Sequence, residues 1–104
     1  MKYIIPQDKI DNIVFKYLNL KRLEKKKSKY LEGIVFGYPD EEYGILGWRK
    51  NGTLYIYSEL INEISETFGL DKSESKSIIG RWFSDRYQLE VINTDWCVLI
   101  RTIG

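Results

Sequence analysis

The stretch 33–57 constrains the fold more than any other part of the chain. Three runs rich in β-branched and aromatic residues follow one another there: Gly33-Ile34-Val35-Phe36-Gly37-Tyr38, then 43–49, then Leu54-Tyr55-Ile56-Tyr57. Turn chemistry separates them. Pro39-Asp40-Glu41-Glu42 supplies the first turn, and Asn51-Gly52 the second, because both of its residues tolerate the positive φ of a tight hairpin. The spacing predicts a three-stranded antiparallel meander. A two-residue loop at Asn51-Gly52 sets Trp48 opposite Tyr55 and Leu46 opposite Tyr57. Side chains alternate along a strand, so Leu46, Trp48, Tyr55 and Tyr57 then share one face with Val35, and Ile34, Phe36, Ile45, Leu54 and Ile56 the other. Both faces are apolar, whereas a sheet with one wet face alternates cleanly with polar residues. The aliphatic face suits the core. Leu46, Trp48, Tyr55 and Tyr57 form the candidate protein interface, for a partner or for self-association.

Helical patterns flank the meander. Ile10, Ile13, Val14, Tyr17 and Leu18 recur at the spacing of one helical face, with Pro6 near the start and Asp8 in the first turn. The pattern fades into the basic stretch 21–29, which reads as a fraying, solvated helix end. Ser58 is placed to cap a second helix with apolar positions Leu60, Ile61, Ile64 and Phe68, and Gly69 suits its C-terminus. Asp71 with Glu74 three residues later opens a third helix, whose buried stripe is Ile78, Ile79, Trp82 and Phe83. Leu89-Glu90-Val91-Ile92, a turn at Asn93-Thr94-Asp95, and Trp96-Cys97-Val98-Leu99-Ile100 predict a closing hairpin. The expected fold is one α+β domain spanning 1–104, with the order α-β-β-β-α-α-β-β.

Composition limits the chemistry. The 104 residues suffice for a folded core without staples, burying roughly two thirds of the unfolded surface. There is no histidine and a single cysteine, Cys97, so an internal disulfide, the common zinc spacings and a histidine general base are all missing. No GxGxxG, GxxxxGK[ST] or nucleophile motif occurs. The run Asp40-Glu41-Glu42 reads as a solvated turn rather than a cation site, and Cys97 as a packed thiol. The N-terminal apolar stretch stops at Pro6, too soon for a signal peptide. The expectation is a protein without catalytic machinery, cofactor or membrane span, located inside a cell. Charge is unevenly placed. Residues 1–29 carry nine basic and three acidic side chains, and residues 30–71 carry two and eight, which makes a bipolar surface able to steer a partner.

A second functional reading comes from 61–83. Two helices joined by Phe68-Gly69-Leu70 and followed by a hairpin follow the order of a helix-turn-helix or winged-helix domain. In that reading Lys72, Lys76 and Arg81 lie on one side of the third helix and contact nucleic acid. Ser75 stands where that motif takes an apolar residue, and the net charge of +1 is low for a DNA-binding domain.

About half of the chain also resembles a family of short proteins encoded by large tailed phages. The resemblance rests on Asn51-Gly52-Thr53-Leu54-Tyr55-Ile56-Tyr57, Glu59-Leu60-Ile61, Phe68-Gly69-Leu70, Ile78-Ile79, Trp82, Tyr87 and Leu89-Glu90-Val91, with Tyr17-Leu18-Asn19 nearer the start. Ser75 departs from the apolar residue usual in that family. The resemblance implies a phage origin and a place in the host cytoplasm or the virion, and it implies no activity. The leading functional expectation is therefore a non-catalytic module, a phage accessory protein acting through protein–protein contacts, with nucleic-acid binding as the alternative.

Overall fold

The computed structural model describes residues 7–27 and 32–102. Helix α1 (Gln7–Asn19) buries Val14 and Leu18 and packs Ile10 and Tyr17 partly against the core, while Ile13 stays exposed. Pro6 and the N-terminal stretch read against a signal peptide lie outside the described residues. The basic stretch after α1 is not a fraying helix. Leu20 and Lys21 donate to the carbonyls of Tyr17 and Leu18 and close the last turn. Leu23 turns toward the core, and Glu24–Lys26 forms strand β1 against β2 (Gly33–Gly37). Ser28 and Lys29 lie outside the described residues.

The meander forms: β2 pairs antiparallel with β4 (Leu46–Arg49), and β4 with β5 (Thr53–Tyr57). Its register corrects the expectation by one residue. Trp48 stands opposite Leu54, and Leu46 opposite Ile56. The loop is the cause. The Gly52 N–H donates to the Arg49 carbonyl at 2.9 Å, and Gly52 holds φ at +92°. A turn closed by a positive-φ glycine makes a three-residue connection with a bulge, not a two-residue one. A slip of one residue carries every side chain of a strand to the other face. Ile34, Phe36, Leu46, Trp48, Leu54 and Ile56 consequently share the side that meets the helices, and Val35, Tyr55 and Tyr57 take the reverse side.

The second β-rich run divides at Ile45, whose N–H donates to the Phe36 carbonyl and whose carbonyl accepts from the Tyr57 N–H, both at 2.8 Å. Before it, β3 (Tyr43–Gly44) pairs with β7 (Ile100–Arg101) in a separate two-stranded ladder. β3 lies so close over the reverse side of the sheet that a Cβ on Gly44 would come within 2.1 Å of Val35 Cγ1.

The expected closing hairpin is absent. Helices α2 (Ser58–Phe68) and α3 (Lys72–Tyr87) carry the chain back so that β6 (Asn93–Cys97) lies parallel to β5, with Ile56 opposite Trp96. Parallel neighbours need a connection of a dozen residues or more, which the two helices provide. Asn93, Thr94 and Asp95 sit in the strand instead of a turn, and Leu89 and Val91 pack against the core ahead of it. The result is a mixed five-stranded sheet, ordered β1-β2-β4-β5-β6, within an α+β fold of three helices.

Gly69 closes α2 in the left-handed region (φ 66°, ψ 35°), and the Asp71 carboxylate accepts the Glu74 N–H at 2.7 Å, as the sequence predicts. Ser58 is not a cap. It is the first helical residue, and Tyr57 before it makes no side-chain capping bond. Ile78, Ile79, Trp82 and Phe83 are buried together with Leu60, Ile61 and Ile64. Ser75 is buried among them because its hydroxyl donates to the Asp71 carbonyl at 2.8 Å, which satisfies it within its own helix. Among the described residues no helix is long and apolar enough to cross a membrane.

Candidate interaction surface

The four residues expected to form an aromatic interface do not form one. Leu46 is fully buried in the core. Trp48 is half-buried on the same side, where its indole Nε1 donates to the Glu90 carbonyl at 2.8 Å. Tyr55 lies on the opposite side, with the Arg49 guanidinium 6.0 Å from its ring centre, and Tyr57 is half-buried against the core. The register set by the Gly52 loop separates them.

The three basic residues of α3 also part company. Nine residues at 100° each put Arg81 about half a turn away from Lys72, so they cannot form one row. Arg81 is engaged by Asp11 of α1 through two bonds of 3.1 and 3.0 Å and donates to Ser77 at 2.8 Å. Lys72 and Lys76, one turn apart, instead border a 290 Å³ cleft with Ser58, Ile61, Asn62 and Trp96.

That cleft belongs to a feature the sequence reading missed, the margin of the sheet formed by β6. The other margin, β1, carries Glu24, Lys25 and Lys26, charged side chains that resist the addition of another strand. Among the described residues β6 pairs with β5 alone, and the Trp96 N–H donates to the Asp95 carboxylate at 2.8 Å instead of to another strand. Along this margin Ile92, Thr94 and Trp96 point to the helix side, and Asn93, Asp95 and Cys97 to the reverse. Ile92 is 67% exposed, Trp96 60%, Val98 69% and Leu99 39%. Four large apolar side chains are thus exposed within eight residues of this margin.

Helix α3 leaves room above the margin. Ser73, Ser77, Gly80 and Ser84 recur along one of its faces, and with Ile92 and Thr94 they line a groove of 690 Å³. Gly80 is needed there for close approach, since a Cβ would come within 2.8 Å of Thr94 Cγ2. Lys76 borders both the groove and the cleft beside Trp96. The period-two alternation through Ile92, Thr94, Trp96 and Val98 was legible in the sequence. Its parallel partner and its place at the margin of the sheet were not.

Two other groups of reactive side chains are structural. Tyr17 and Lys21 bind Glu63, the lysine at 2.8 Å, and Lys21 also donates to the Tyr38 hydroxyl at 3.3 Å. Burial pushes the Glu63 carboxyl up, but the bonds from Lys21 and Tyr17 outweigh it and hold the group below its ordinary range. Burial likewise pushes Lys21 down, and its bonds to Glu63 and Tyr38 outweigh that and raise it. A depressed carboxyl contributes stability above its unfolded pKa of 4.5, and that contribution is lost as pH falls. A raised ammonium contributes below 10.5, and that contribution is lost as pH rises. Glu63→Gln is expected to cost about 1 kcal/mol at pH 7 in urea unfolding and less at pH 3, where the carboxylate is being protonated. An equal cost at both pH values would show that the carboxylate charge is not what ties α1 to α2.

Cys97 is half-buried, and burial, with Asp95 adding to it, pushes its thiol up to about 11, so it stays protonated near neutral pH. Asp40, Glu41 and Glu42 are all exposed, and among the described residues no three His, Cys, Asp or Glu side chains stand close enough to hold a metal ion. No protein-family model, curated protein or solved structure matches the chain.

Proposed function

We propose that this protein is a non-catalytic binding module that takes up an extended segment of a protein partner along β6, adding a strand to its sheet. The observation that carries this reading is the β6 edge, without a second strand among the described residues and flanked by exposed Ile92, Trp96, Val98 and Leu99. Main-chain hydrogen bonds to an open edge supply affinity, and pockets for alternate side chains supply selectivity. The groove under α3 and the cleft beside Trp96 are such pockets. In the phage setting that the sequence resemblance implies, the partner is a phage or host protein. The nucleic-acid reading keeps Lys72 and Lys76 but loses Arg81 to its bonds with Asp11 and Ser77.

Selection of a displayed random-peptide library on the full chain is expected to enrich extended, β-forming sequences. Their amide shift perturbations should centre on residues 92–98. Trp96→Lys should weaken the selected peptides by about tenfold or more, as loss of a central aromatic does, and leave the fold intact because the indole is exposed. Enrichment of nothing, or perturbations that avoid β6, would reject the reading.

A further inference from the structure

We infer that the segment β6 accepts is acidic, with a carboxylate and a neighbouring apolar side chain both directed to the helix side of the sheet. This rests on the strand-addition reading above and assigns the chemistry of its occupant. Trp96 projects to the helix side of the margin and forms one wall of the 290 Å³ cleft. Lys72 and Lys76 form another wall, and neither has an ion-pair partner among the described residues. No Asp or Glu lines the cleft; its remaining walls are Ser58, Ile61 and Asn62. Two uncompensated ammonium groups beside an exposed indole select for negative charge next to apolar surface.

Strand geometry states the pattern. Residues two apart on an added strand point to the same side, about 7 Å from one another. One of them lies along Trp96, and the next lies toward the lysines. The exposed Asp95 and half-buried Cys97 on the reverse side ask for small polar residues at the alternate positions. A second copy of this chain fits poorly. Its β6, joined antiparallel in the same sheet, would bring Thr94 and Trp96 to the helix side, while its carboxylate, Asp95, would stay on the reverse side. The lysines would then face no counter-charge.

The test uses the full chain and a fluorescein-labelled peptide that alternates threonine with valine, glutamate and valine, alongside a twin carrying glutamine for glutamate. Anisotropy titrations at low salt should show the glutamate peptide binding about tenfold tighter than its twin. Salt at 0.3 M should erase most of that preference, because the lysines border open water. The double substitution Lys72→Gln and Lys76→Gln should remove the preference, weakening the glutamate peptide about tenfold and the glutamine peptide by much less. Trp96→Ala should weaken both peptides. Equal binding of the two peptides, or equal weakening of both by the lysine substitutions, would overturn the acidic assignment while strand addition stands. Failure of both peptides to bind would remove strand addition, and this inference with it. A dimer in sedimentation that Trp96→Lys dissolves would assign the edge to a second copy. A single-stranded oligonucleotide that displaces the glutamate peptide and binds more tightly would assign the cleft to nucleic acid. Either result overturns the proposal.

Discussion

Phe83→Ala is expected to destabilise the protein by about 3–5 kcal/mol, the range for truncating a buried aromatic ring. Phe83 is fully buried at the junction of α3 with β2. Its ring meets Phe36 edge-on at 5.4 Å and lies 5.0 Å from Tyr87, which itself stacks on Phe36 at 4.2 Å. The alanine variant loses the transfer free energy of the ring and leaves a cavity beside Phe36 and Tyr87, which cannot both close in. A domain of this size has a margin of only roughly 5–15 kcal/mol, so the variant should melt at least 12 °C lower, or lack a cooperative transition at 37 °C. Phe83→Leu, which refills most of the volume, should recover at least half of the loss. A Phe83→Ala protein that melts within 3 °C of the parent would show that α3 does not pack on β2 as described.

Gly44→Ala should cost about 3 kcal/mol, at the upper end of the range for overpacking. The strand β3 crosses so close above the sheet that the new methyl would stand 2.1 Å from Val35 Cγ1 and 3.2 Å from the Phe36 carbonyl. Val35 is buried and β-branched, so it has no free rotamer in which to retreat. The ladder of β3 with β7 must lift away, which uncovers Val35 and breaks the Tyr43–Arg101 and Gly44–Ile100 pairing. Val35→Ala tests the mechanism. Alone it should destabilise by making a cavity, but in the Gly44→Ala background it should cost less, or even stabilise. The double-mutant cycle should return a coupling of about 1 kcal/mol or more. Strictly additive effects would mean that the two side chains do not compete for the same space.

Much of the local structure can be read from the residues because local chemistry decides it. The apolar spacing through Val14 and Leu18, and through Ile78, Ile79, Trp82 and Phe83, marks helical faces, since a helix without a buried face has little to hold it. Gly69 ends α2 because its backbone reaches the left-handed region without strain, and Asp71 begins α3 because its carboxylate takes an N–H the helix leaves unpaired. The candidate interface around Trp48 failed on a smaller point. Asn51-Gly52 announces a hairpin but not the length of its loop, and one residue of loop length is enough to exchange the faces of β4.

The three helices, the three runs of the meander and most of the buried positions follow from sequence alone, because propensity, period and turn chemistry act over a few residues. Pairing at the two ends of the sheet was decided only in three dimensions. Glu24–Lys26 became a strand because Leu23 turned toward the core and β2 had a free edge beside it. Asn93–Cys97 became a parallel partner of β5, instead of half of a hairpin, because α2 and α3 returned the chain beside β5 and Gly80 let α3 settle against Thr94. The candidate site depends on that last choice. Trp96 has the same chemistry in a closing hairpin as on the sheet margin, and only the packing of α3 places Lys72 and Lys76 beside it.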